Sequence, residues 1–147
     1  MKLKKGHILE NVLIGDLVAQ GNCISKVDDV VIFSKYTAPG DVVDLKINRK
    51  KKKFYEASLV EIKQKSENRV EPKCEHFGIC GGCKAQHIDY KTQLSSKEQQ
   101  VFDAIERIGN QSDFTKMPIV GSEEIYFYRN KLEYTASDSR WLTYEQI

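Results

Sequence analysis

Three of the four cysteines fall in one short stretch, Cys74-Glu-His-Phe-Gly-Ile-Cys80-Gly-Gly-Cys83. Thiolates this close together bind zinc, hold an iron–sulfur cluster or pair as disulfides. Gly81 and Gly82 let the backbone turn tightly and bring peptide N–H groups near a metal or a sulfide. Disulfides suit a small secreted domain. Here Met1–Lys5 is followed by Gly6 and His7, not by an apolar run and a cleavage site, so structural disulfides are not expected. His87 completes a Cys-x5-Cys-x2-Cys-x3-His pattern that suits a tetrahedral Cys3His zinc site, and His76 is a second nitrogen candidate. A [4Fe–4S] cluster usually asks for four thiolates. The fourth cysteine, Cys23, sits in the alternating run Gly21–Val27 and reads as a small buried core residue. Spacing alone puts zinc slightly ahead of iron–sulfur.

Charge adds a second candidate site. Residues 1–70 hold 14 Lys/Arg against 9 Asp/Glu, a balance of +5, whereas residues 71–147 hold 9 against 12, a balance of −3. A basic half suits a polyanion. The densest patch is Arg49, Lys50, Lys51, Lys52 and Lys53. Such a run is either a solvated hairpin tip or a sequence-independent, salt-sensitive phosphate contact. No apolar stretch approaches the roughly 20 residues of a membrane-spanning helix, and a soluble, cytoplasmic protein is expected.

The elements that must position these residues are legible as runs. Strands are expected over His7–Ile14, Leu17–Lys26 with a bend at Gly21, Val30–Phe33, Val42–Ile47 and Phe54–Ile62. Asp28-Asp29 and Ala38-Pro39-Gly40-Asp41 are turn signals, the latter a type II turn. Five short strands without a helix suggest a small OB-like barrel, with the cations between the last two strands. Phe33, Tyr36, Phe54 and Tyr55 are candidates for base stacking, although alternation places Phe33 in the core. The polar stretch 65–72 reads as a linker. A helix is expected from about Asp89 to Ile108, with Leu94, Val101, Ile105 and Ile108 near one face and Gly109-Asn110 as its stop. Met117–Gly121 reads as a strand, and Phe127–Ala136 with Trp141–Tyr144 as a hairpin. Arg129 and Lys131 alternate along it and are further phosphate candidates, while Trp141 and Tyr144 would stack on bases or sit in a partial core. The pattern stops at Ile147 with no element to finish a sheet, so the chain is expected to be a fragment.

Gly15-Asp16, Gly21, Val30–Phe33, Pro39-Gly40-Asp41-Val42-Val43 and Lys46 together resemble a TRAM domain, an RNA-binding β-barrel appended to RNA-modifying enzymes. Cys74–His87, a helix, then Tyr128-Arg129-Asn130-Lys131 extend the likeness. In this order the chain resembles the N-terminal part of the TRAM-containing, iron–sulfur RNA uracil-C5 methyltransferases that act on 23S ribosomal RNA. The resemblance implies an all-β OB-like five-stranded barrel over 1–64, a linker over 65–72, and an iron–sulfur loop with the start of a central α+β domain over 73–147. It implies that Cys74, Cys80 and Cys83 are three ligands of a [4Fe–4S] cluster whose fourth ligand is missing from these residues, with His87 structural or close to RNA. It also implies S-adenosylmethionine as methyl donor, bound by a catalytic domain with a Gly-rich loop, and a cysteine nucleophile adding to uracil C6. No such loop, and no cysteine after Cys83, occurs here, so the chain alone is expected to be inactive. Its expected partner is ribosomal RNA, without a membrane. The competing reading is a stand-alone RNA-binding module with a Cys3His zinc site.

Overall fold

A computed structural model describes residues 3–128, 130, 131, 133, 136–140, 142 and 146. Its strands are β1 (Ile8–Leu13), β2 (Asn22–Val27), β3 (Val30–Lys35), β4 (Val42–Lys50) and β5 (Tyr55–Gln64), followed by helix α1 (Tyr90–Asp103). They form one sheet in the order β1-β4-β5-β3-β2. All neighbours are antiparallel except β3 and β5, which run parallel. No continuous ladder joins β1 to β2. The chain just after β1 makes the junction instead: Gly15 N–H donates to Ile24 O (3.0 Å), Ile24 N–H donates to Asp16 O (2.9 Å), and Leu17 bridges to Cys23. The sheet therefore curls into an OB-like barrel without closing by regular pairing.

Period-two alternation sorts the side chains. Ile32 and Ser34 on β3, Leu45 and Ile47 on β4, and Tyr55 and Ala57 on β5 point inward and are buried. Ile14, Val43 and Ile88 complete the centre of the core. Cys23 is also fully buried there, as its strand-like context implies, and burial pushes its thiol up to about 11. Tyr55, a stacking candidate by sequence, is core: its hydroxyl accepts from Leu3 N–H at 3.3 Å.

The turns follow their residues. Asp28 and Asp29 both take positive φ, 46° and 62°, as a two-residue hairpin turn requires and as aspartate tolerates. Gly40, at φ 88°, supplies the left-handed position of the turn whose Asp41 N–H donates back to Ala38 O (3.0 Å).

The stretch 65–72 is docked on the barrel. The fully buried Asp41 carboxylate accepts from Ala38 N–H (2.7 Å), Ser66 N–H (3.0 Å) and the Arg69 guanidinium (2.5–3.1 Å). Arg69 also donates to Tyr36 O at 3.0 Å. Burial acts to raise the Asp41 pKa, but Arg69 and the Ser66 and Ala38 amides outweigh it and hold the carboxyl below its usual range. Beyond this hub, Val70 N–H donates to His87 O (3.0 Å) and Asp89 N–H to Asn68 O (2.9 Å), so both ends of the cysteine loop are pinned together.

Helix α1 starts where Asp89 Oδ1 accepts from Thr92 N–H at 3.0 Å, and it runs through a wider π turn over Ala104–Ile108 to Gly109. Ser95 lies inside the helix, past its first turn. None of its residues is buried, and Val101 and Ile108 are exposed. Met117–Gly121 is not a strand. It is held by side chains rather than a ladder, Ile119 N–H on Glu98 Oε1 (2.6 Å) and Ser122 N–H on the Tyr90 hydroxyl (2.8 Å). The described residues of 122–146 form no strand either, and Arg129, Trp141 and Tyr144 lie outside the described residues.

Candidate nucleic-acid interface and cysteine loop

The residues that alternate away from the core share the outer face of β2, β3, β5 and β4. The register sets Phe33 opposite Ile24 on one side and Glu56 on the other, and Lys35 opposite Asn22 and Ser58. Lys46 stands across from Ser58 on β4. Phe33 is thus half-exposed on the outer face, not in the core: its neighbours Ile32 and Ser34 take the inward positions of β3. Its ring meets Phe54 edge-on with centroids 4.9 Å apart. Phe33, Phe54, Lys35, Lys46 and Asn48 line an open groove of about 1120 Å³, with Tyr36 and Gly78 at one end. Aromatic faces flanked by lysines and amides are the composition of a single-strand-binding surface.

The cationic run adjoins this groove without lining it. Arg49 and Lys50 finish β4, and Lys51 N–H donates to Phe54 O at 2.8 Å across the tip. Lys52 and Lys53 are exposed, and Lys50 Nζ lies 5.8 Å from the Tyr55 ring centre. The run is thus an exposed hairpin tip between β4 and β5. Lys131 does not line the groove; its Nζ is 3.9 Å from Glu133 Oε1.

The cysteine loop leaves and re-enters the barrel beside the groove. Phe77 packs edge-on against Tyr36 (5.6 Å between centroids) and lies 5.2 Å from the His87 ring. At Gly21, with φ 71°, a Cβ would stand 2.6 Å from Lys84 Cβ and 2.9 Å from Lys84 O, so only glycine allows this approach of loop and barrel. Gln86 links the first and third cysteines: its Oε1 accepts from Cys74 N–H (3.2 Å) and its Nε2 donates to Cys83 Sγ (3.1 Å). Gly82 N–H points at Cys80 Sγ from 3.5 Å. All three thiols are free, with Cys80 and Cys83 exposed and Cys74 half-buried.

N–H donors on two of three sulfurs are what cluster-bound thiolates take, so the donor chemistry fits an iron–sulfur group. The side chains are not gathered, however: among the described residues no three His, Cys, Asp or Glu side chains are close enough to share a metal ion. His87 does not join the loop thiols. It is 1% exposed, its Nε2–H donates to Thr37 O at 2.9 Å, and burial lowers its pKa and keeps the ring neutral. Its Nδ1 is buried without a hydrogen-bond partner.

Outward alternation on β3–β5 could have revealed Lys35, Lys46 and Glu56 in the sequence. Nothing local marks the partnership of Asp41 with Arg69, because the two meet only in the folded barrel.

Residues 4–60, which span most of the barrel, match the TRAM domain family. The chain is related beyond it to proteins named RNA methyltransferases. It is 46% identical over 134 residues to one from Porphyromonas gingivalis and 48% identical over 131 residues to one from Bacteroides thetaiotaomicron, matches covering 91% and 89% of this chain. It is also 40% identical over 131 residues, 88% of its length, to the 23S rRNA (uracil(1939)-C(5))-methyltransferase RlmD of Francisella tularensis subsp. novicida. The matched segment spans 29% of the length of each of these relatives. Among the described residues no helix is long and apolar enough to cross a membrane.

Proposed function

We propose that this chain recognises single-stranded RNA across the groove face, as the RNA-binding and [4Fe–4S]-bearing part of an S-adenosylmethionine-dependent ribosomal RNA uracil-C5 methyltransferase. The observation that carries the RNA reading is the Phe33–Phe54 pair sharing one groove with Lys35 and Lys46, with the Arg49–Lys53 tip beside it. Bases stack on the rings while the lysines neutralise phosphates. The name of the Francisella relative supports the ribosomal substrate and the uracil chemistry. Cys74, Cys80 and Cys83 would hold the cluster, which would cross-link the loop that flanks the groove. His87 serves the docking of that loop rather than the metal.

Fluorescence anisotropy with a labelled single-stranded RNA, read against salt, tests the groove. The expected result is binding whose log–log salt slope has a magnitude near 0.7 per phosphate neutralised. Binding that survives joint replacement of Phe33, Phe54, Lys35 and Lys46 unchanged would refute it. Metal and sulfide analysis of anaerobically purified protein tests the loop. Roughly four irons with matching sulfide support the cluster, and one zinc without sulfide supports a stand-alone RNA-binding module.

A further inference from the structure

One residue of the groove has the wrong charge for a polyanion. Glu56 lines it between its cross-strand neighbours Phe33 and Arg49, with its side chain 42% exposed. Its closest cation is Lys51, whose Nζ lies 3.7 Å from Oε1, beyond hydrogen-bond reach. No described residue donates a hydrogen bond to its carboxylate, so both oxygens face the groove or water. A phosphate set down here would be repelled, and RNA lying over the groove would strip the carboxylate of water at a cost. Base N–H groups are the part of RNA that can restore those hydrogen bonds.

The edges of the four bases are not equal partners. Guanine presents two N–H donors side by side, N1–H and N2–H, spaced to meet two carboxylate oxygens. Cytosine and adenine offer an amino group beside a ring nitrogen that repels the second oxygen. Uracil offers N3–H between two carbonyls. We propose that Glu56 makes the groove selective for guanine, holding its Watson–Crick edge while the base stacks on the Phe33–Phe54 pair. This rests on the RNA reading above and adds base preference to it.

The test uses four uridine octamers whose central residue is G, A, C or U, each bound to the full chain at one fixed salt concentration. The G octamer is expected to bind on the order of tenfold more tightly than the others. Inosine in place of that guanine, which lacks N2–H, is expected to lose most of the advantage without any change to the protein. Glu56→Gln is expected to abolish the preference while binding the all-U octamer as well or better, since one negative charge leaves the face. A residue that served only the fold would weaken all four octamers alike. Equal affinities for the four, or a preference unchanged by Glu56→Gln, would overturn the guanine assignment and leave RNA binding standing. Absence of binding to all four would overturn the RNA reading itself.

Discussion

Replacing Asp41 by alanine should unfasten the barrel from the chain that follows it. The carboxylate is fully buried and accepts from two backbone amides and from the Arg69 guanidinium. Its removal leaves Arg69, 11% exposed at its side chain, with Tyr36 O as its remaining acceptor among the described residues. Breaking a buried pair by removing one partner costs about 3–5 kcal/mol, much of it for the charge left behind. With a urea dependence of about 2 kcal/mol per molar, the unfolding midpoint should fall by roughly 1.5–2.5 M. Asp41→Asn keeps one acceptor oxygen and loses the charge, so its midpoint should lie between the two. Glu71→Ala is the control, because it removes an exposed pair with Lys65 at 3.0 Å that contributes only a few tenths of a kcal/mol. Urea titrations followed by circular dichroism read all three. A midpoint for Asp41→Ala no lower than that of Glu71→Ala would refute the claim that this hub fastens the fold.

Acid should weaken the protein in two windows. His87 is held neutral by burial, its pKa below the usual 6.5, so the unfolded chain gains a proton first and stability declines as pH falls below about 6.5. Asp41 has a folded pKa below its unfolded one of about 3.9; its contribution is full above that value and disappears as pH falls through the folded one. Urea midpoints across pH should show the lower window flattened in Asp41→Ala and the upper one retained. Phe54→Ala should weaken RNA binding by about 1–3 kcal/mol with the salt slope unchanged. Lys46→Ala should instead reduce the slope by about 0.7, with both read by anisotropy. Brief iodoacetamide treatment of the native, metal-free chain should label Cys80 and Cys83 and spare Cys23, whose thiol is buried and pushed up to about 11; peptide mass spectrometry checks this.

The barrel was legible because its strands carry two-residue alternation bounded by Asp28-Asp29 and Pro39-Gly40. The strand starts Val30 and Val42 were read correctly, and β3, β4 and β5 each extend two or three residues beyond their expected ends. The expected bend at Gly21 is a short 3-10 turn, Ala19–Gly21. Phe33 shows where the pattern misleads. In Val-Val-Ile-Phe apolar residues occupy both faces, so only the pairing with β2 and β5 tells which side is out. The helix and its stop at Gly109 followed from spacing, whereas Met117–Gly121 has apolar residues but no partner strand. In the site, the cysteines announce themselves by type. Lys35, Lys46 and Glu56 are scattered over three strands and become a surface only when the parallel β3–β5 pair brings them together.

The Asp41 hub also separates what can vary from what cannot. It grips the chain at residues 38 and 41 and again at 66 and 69, so β4 and β5 leave and return to one fixed neck while their cationic tip sits at the far end. Changes in length or charge at Lys51–Lys53 are insulated from the neck by two paired strands. On the function proposed above, rewriting the tip would retune the grip on RNA, while the barrel and the cysteine loop docked on it inherit the same frame.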